Sequence, residues 1–111
     1  MRRAFMAVLR ANGTGDFDAA ELVYSELVGN AIRHTAGPIV VRLAWSGEVP
    51  TLIVDSAGGR FSAEAELPVD PLSENGRGMF IVRALSLDVR VKARPGDRTA
   101  VLARLPIHRA A

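Results

Sequence analysis

Cysteine does not occur in this chain of 111 residues. Its absence removes disulfides, thiolate zinc sites and cysteine nucleophiles together, and it fits a reducing compartment, for which the cytoplasm is the default. Long apolar runs are missing too. The longest, such as Leu52 to Val54 and Met79 to Val82, fall far short of the roughly 20 residues that a membrane span needs, so no membrane partner is expected. Arg2 and Arg3 followed by Ala4 to Leu9 have the order of a signal peptide, but the apolar stretch is too short and Arg10 closes it; it reads as a helix. No clustered basic stripe is visible either. The pI is near 9.9, yet the formal charge is only +2 and the arginines are scattered among acids, so direct nucleic-acid binding is not expected. The sequence also lacks an internal repeat, a histidine cluster for zinc, a serine in a nucleophile elbow, and a P-loop, since no Gly-Lys-Ser/Thr follows its glycines.

What is present, 49% hydrophobic and 23% charged, is the profile of one globular domain over residues 1–111. A chain of this size buries roughly two-thirds of the surface its unfolded form exposes, enough for a core without covalent staples. Phe5, Met6 and Leu9 follow helical spacing within residues 2 to 11, before Asn12-Gly13-Thr14-Gly15 breaks the run. A second helix is signalled by Asp18 as N-cap, with Glu21 three residues on and Phe17 in front as a staple. It should run to about Thr35, where Gly37 and Pro38 stop it. Ile39 to Trp45 and Thr51 to Asp55, rich in branched residues around a turn-like Ser46-Gly47-Glu48, predict a strand pair. Residues 56 to 75, with Gly58-Gly59, two prolines and four acids, predict a mobile loop. Met79 to Leu87 resumes helical spacing, and Leu87 to Ala93 with Thr99 to Leu105 predicts a last hairpin around Arg94-Pro95-Gly96-Asp97. His108 falls in what reads as a frayed tail. The expected fold class is α/β (α+β): a two-layer sandwich with helices on one face of a mostly antiparallel sheet.

Several polar residues sit where packing does not explain them. Ala19, Leu22, Val23, Glu26, Asn30 and His34 share one stripe of the second helix, apolar at its start and polar at its end. Glu26 and Asn30 point the way Ala19 and Val23 point, into the interior, where a carboxylate and an amide are costly unless partnered. Magnesium on the Asn30 carbonyl, with Glu26 one turn away to accept a proton, would supply the partner. An ordinary helix whose polar face rolls into solvent near its end is the other reading. Val28 and Ile32 form a second apolar face, to be covered by the N-terminal helix or by a second subunit. Asp55 closes a strand of buried type. A carboxylate there can accept from an exocyclic amine while Ser56-Ala57-Gly58-Gly59 lets a flat base approach the backbone; equally, a strand-ending aspartate in a glycine turn needs no ligand. Asn75-Gly76-Arg77-Gly78 is expected to open the third helix, with free backbone N–H groups at Gly76 and Gly78 for phosphate and Arg77 as a further donor; a plain glycine-rich loop is the alternative. His34 suits an exposed place near a helix C-terminus, where the dipole favours its charge.

In their order and spacing these signals resemble one family. Ser25-Glu26-Leu27-Val28-Gly29-Asn30-Ala31-Ile32-Arg33-His34 resembles the N box of the GHKL ATPases, especially the bacterial anti-sigma-factor serine kinases. Val54-Asp55-Ser56-Ala57-Gly58-Gly59 is similar to the G1 box, Asn75-Gly76-Arg77-Gly78-Met79-Phe80-Ile81-Val82 to the G2 box, and Gly96-Asp97-Arg98-Thr99-Ala100-Val101 to the closing glycine-threonine strand. The resemblance covers nearly the whole chain. It implies the Bergerat fold, which holds ATP with Mg2+ between the helical layer and a short lid. It further implies Glu26 as general base, Asn30 as magnesium ligand, Asp55 and Thr99 at the adenine with Gly59 closing the G1 box, and Gly76, Arg77 and Gly78 at the phosphates. The activity implied is transfer of the γ-phosphoryl group to a serine of a protein partner, an anti-sigma antagonist, with a sigma factor as a second partner and a homodimer as the assembly. The alternative is a non-catalytic, ATP-responsive module that sequesters a partner. Two departures from the family pattern stand out. Ala57 occupies the place of the first G1 glycine, and the chain starts close to its first helix where relatives often begin with a strand, as a shortened member or one module of something larger would. The lid, from about Arg60 to Glu74, is short, which argues against a sensor histidine kinase.

Overall fold

The computed structural model describes residues 1–35, 37–57 and 74–110, and of His34 and residues 74–77 the backbone alone. Helix α1 (Arg2–Asn12) forms because Phe5, Met6 and Leu9 recur at helical spacing; all three are buried. A three-residue strand, β1 (Gly13–Gly15), leads to α2 (Phe17–His34). The cap of α2 is Asp16, whose carboxylate accepts from the Ala19 N–H at 3.0 Å. The expected cap, Asp18, stands instead in the first turn. A capping oxygen must reach the N–H two or three residues ahead, and the chain turns helical at Phe17, so the acid just before that residue does the work. Asp18 still places negative charge at the positive end of the helix.

Strands β2 (Ile39–Ser46) and β3 (Val49–Ala57) form the expected hairpin around Gly47-Glu48, where Gly47 takes φ +80°, a left-handed conformation open to glycine. Helix α3 (Glu74–Leu85) is followed by β4 (Asp88–Arg94) and β5 (Arg98–Arg104), the predicted last hairpin. These strands make one antiparallel sheet in the order β2-β3-β5-β4. The sequence did not announce β6 (Ile107–Arg109), which pairs antiparallel with β1, Thr14 opposite His108. The tail expected to fray is therefore a strand. It is held by Leu105 and Ile107, both fully buried, and by glycines that let β1 approach: a Cβ on Gly15 would lie 2.4 Å from the Pro106 carbonyl oxygen.

Strand alternation places Ile39, Val41, Leu43 and Trp45 of β2, Leu52 and Val54 of β3, and Val101 and Ala103 of β5 toward the helices. From α2 the core receives Ala20, Val23, Tyr24, Leu27 and Ala31, a stripe rotated from the expected one, so that Leu22 is 41% exposed. The Phe5 and Tyr24 rings stack with centroids 4.5 Å apart, which ties α1 to α2. Burial pushes the Tyr24 hydroxyl above its ordinary pKa, and among the described residues that hydroxyl has no hydrogen-bond partner; the ring is there for packing. Val28 is half-buried against the core, whereas Ile32 is 62% exposed. The fold is thus the expected α+β sandwich. Among the described residues, no helix is long and apolar enough to cross a membrane.

Asp16→Ala should lower stability by about 1 kcal/mol, and Asp18→Ala by clearly less, in urea unfolding curves; equal losses would return the cap to Asp18.

Candidate functional site

Asn30 is 2% exposed and Glu26, one turn earlier on α2, is half-buried. Both face α3, and the contact residue is Gly78. A Cβ on Gly78 would lie 2.9 Å from Glu26 Oε1 and 3.4 and 3.5 Å from the Asn30 Nδ2 and Oδ1 atoms. Met79 and Val82, both buried, press this stretch of α3 into the core. The expectation that Gly78 would offer a free N–H needs correction. α3 begins at Glu74, so within it the N–H groups without intrahelical partners belong to residues 74–76, while that of Gly78 falls within the helical ladder. Gly76 and Arg77 lie in that first turn; Gly78 acts by having no side chain.

The Asn30 carbonyl oxygen accepts from the Arg33 guanidinium, one turn further along α2. Sequence reasoning passed over Arg33, although its i, i+3 spacing from Asn30 was the available signal. The atom expected to face a cation thus already faces one, so its chemistry fits positive charge. Among the described residues there is no cluster of three or more His, Cys, Asp or Glu side chains able to hold a metal. A magnesium ion here would take the Asn30 oxygen and draw its remaining ligands from phosphate and water, the usual habit of that ion.

The far end of α2 is tied to the far end of β3. Thr35 Oγ1 donates to the Ala57 carbonyl and itself accepts from the Gly37 N–H at 3.1 Å. Beneath this tie, Ser56 of β3 pairs in register with Thr99 of β5. Both are buried, and alternation turns both toward the helical layer with Val54 and Val101.

Asp55 is placed differently. It pairs with Val40 and Ala100 on the register next to Ser56, and one step along a strand reverses the face. Its carboxylate, 2% exposed, lies on the outer side of the sheet. There Arg98 donates to Oδ1 through Nη2 at 2.9 Å and Nε at 3.1 Å, and Arg42 approaches Oδ2 at 3.5 Å. The structure therefore brings Glu26, Asn30 and Gly78 together and sets Thr99 with Ser56 on the same side of the sheet. It does not bring Asp55 to them. No linear signal marked Arg42 and Arg98 as its partners; they meet it only through strand pairing. Gly59, the lid and the Arg77 and His34 side chains lie outside the described residues.

No curated protein sequence matches this chain. Among solved structures, the fold is similar to that of Acinetobacter baumannii histidine kinase AdeS, with TM-score 0.59 and 21% identity over 82% of this chain and 47% of that one. The chain spans about half the length of that structure (47%), and at this identity the likeness is one of fold. Residues 1–105 match the family described as "Histidine kinase-like ATPase domain". With that match over nearly its whole length, and with the α2–α3 junction in place, the chain belongs to the histidine kinase-like ATPase domain family, within the GHKL superfamily of ATP-binding proteins.

Proposed function

We propose that this chain is a serine kinase of the anti-sigma type, which passes the γ-phosphoryl group of ATP to a serine of a partner protein. The observation that carries the reading is the α2–α3 junction: a buried amide and a half-buried carboxylate, one turn apart, against a residue with no side chain. Magnesium, when bound, neutralises phosphate charge and orients the group in transfer. Asn30 offers its carbonyl oxygen to that ion, and Arg33 leaves this oxygen to face the phosphates. The free first-turn N–H groups of α3, that of Gly76 among them, receive phosphate oxygens at the positive end of the helix dipole, and Arg77 adds a further donor. Glu26 takes the proton of the attacking serine hydroxyl as the new O–P bond forms and the bond to ADP breaks. Thr99, with Ser56 beside it, meets the base from the sheet, and Gly59 belongs to the same wall. Asp55 reads the base amine only if its carboxylate leaves Arg42 and Arg98 and the end of β3 turns over. The reaction belongs in the cytoplasm. The partner is a sigma-factor antagonist or a sigma factor, and the exposed Ile32 suits a homodimer. A non-catalytic sequestering module is the second reading, favoured by Ala57 in place of the first G1 glycine.

Four outcomes test this. With magnesium and ATP at 100 times the dissociation constant, the protein should gain about 2.7 kcal/mol of stability. Glu26→Gln should keep that thermal shift and lose phosphoserine formation on an antagonist protein; an undiminished transfer rate in this variant would remove the base assignment. Gly78→Ala should match or exceed the wild-type melting temperature, because alanine is the better helix former by up to about 1 kcal/mol. Its methyl group should nonetheless displace Glu26 and slow transfer. Asp55→Asn should lower the melting temperature by leaving two guanidinium groups without their counter-ion, with ATP affinity little changed. A large loss of ATP affinity would show instead that the carboxylate turns into the pocket on binding.

A further inference from the structure

The arginines that look scattered in the sequence converge once the strands pair. On the outer face of the sheet, Ile53 lies between Arg42 and Leu102, with Arg90 beyond. Asp55 lies between Val40 and Ala100, with Lys92 beyond, and Arg98 faces Arg94 at the sheet's end. With Arg104 opposite Asp88 and Thr51, this face holds Arg42, Arg90, Lys92, Arg94, Arg98 and Arg104. Among the described residues, two carboxylates answer them. Asp55 is engaged by Arg42 and Arg98, and Asp88 by Arg90 at 3.2 Å. Lys92, Arg94 and Arg104 are exposed and have no ion-pair partner among the described residues. A shallow depression of about 330 Å³ opens among Thr51, Asp88, Arg90, Lys92, Leu102 and Arg104. Apolar groups break the charge: Val40 is 41% exposed, and Ile53 and Leu102 are half-buried.

We propose that this basic outer sheet face docks an acidic, amphipathic segment of a partner protein, separate from the nucleotide site on the helical side. Unpaired positive charge calls for carboxylates on the partner, and the line from Val40 through Ile53 to Leu102 calls for apolar side chains between them. A second copy of the chain is disfavoured, because a two-fold contact would set this positive face against itself. Single-stranded nucleic acid is disfavoured as well. Among the described residues the face carries no aromatic side chain on which a base could stack, and sheet faces that read single strands depend on such stacking.

The test titrates the intact chain, by fluorescence anisotropy, into a fluorescein-labelled peptide alternating glutamate with valine. A lysine–valine peptide and an oligothymidylate serve as the comparison probes. The glutamate peptide should bind at low salt, at least about tenfold more tightly than either comparison probe, and should weaken as salt rises. The triple variant Arg90→Glu, Lys92→Glu, Arg104→Glu should lose at least about tenfold in affinity for that peptide while keeping its ATP-induced thermal shift. If that variant does not fold, Arg90→Gln, Lys92→Gln, Arg104→Gln reads the same loss. Absence of binding at low salt, affinity unchanged in a folded triple variant, or tighter binding of the oligothymidylate overturns the proposal. So does a wild-type dimer, seen by sedimentation, that the triple variant dissolves.

Discussion

How closely α3 approaches α2 governs what the candidate site can do. Met79 and Val82 are buried against α2 and the sheet, and each such side chain contributes roughly 1.5–3 kcal/mol through its removal from water. That burial draws the helix down onto Glu26 and Asn30, and Gly78, having no side chain, leaves the Glu26 carboxylate where a methyl group would displace it. Apolar packing thus holds two polar groups in place that have no hydrophobic reason to be there. The cost of burying Asn30 is offset in part by the Arg33 guanidinium on its carbonyl, since a charge-assisted hydrogen bond is stronger than a neutral one.

The sheet divides the molecule chemically as well as geometrically. Its inner face meets the helices with apolar residues and, near the end of β3, with the hydroxyls of Ser56 and Thr99. Its outer face is cationic. Asp55, on the central strand β3, is the counter-ion that lets arginines from β2 and β5 sit side by side across it. Because Asp55 is buried while Arg42 is half exposed, solvent weakens the Arg42 contact more than the shorter and better enclosed one to Arg98.

Two ties close the structure at its ends. Thr35 and Gly37 fasten the end of α2 to Ala57, next to the buried hydroxyls of Ser56 and Thr99, so the distance between helical layer and sheet is set there by hydrogen bonds as well as by side-chain volume. At the opposite end, β1 and β6 pair over buried Leu105 and Ile107. The second tie joins residues far apart in sequence. Its strands are too short to show a period, and Gly13-Thr14-Gly15 reads locally as a break.

The sequence by itself determined what depends on neighbours along the chain. The helical spacing of α1 and α2, the branched strands, the turn glycines and the four-residue interval from Glu26 to Asn30 are local properties, and they were legible with boundaries off by a residue or two. The cap of α2 was misplaced by two residues because two aspartates stand close together and only the backbone's point of entry into the helix chooses between them. Tertiary structure alone decided which face each strand residue occupies. A single step in register sends Ser56 inward and Asp55 outward, and no periodicity in Leu52-Ile53-Val54 distinguishes the two. It also decided that arginines separated by up to sixty-two positions, from Arg42 to Arg104, share one surface. Side chains on paired strands become neighbours through hydrogen bonding across the sheet, a relation that linear spacing does not record.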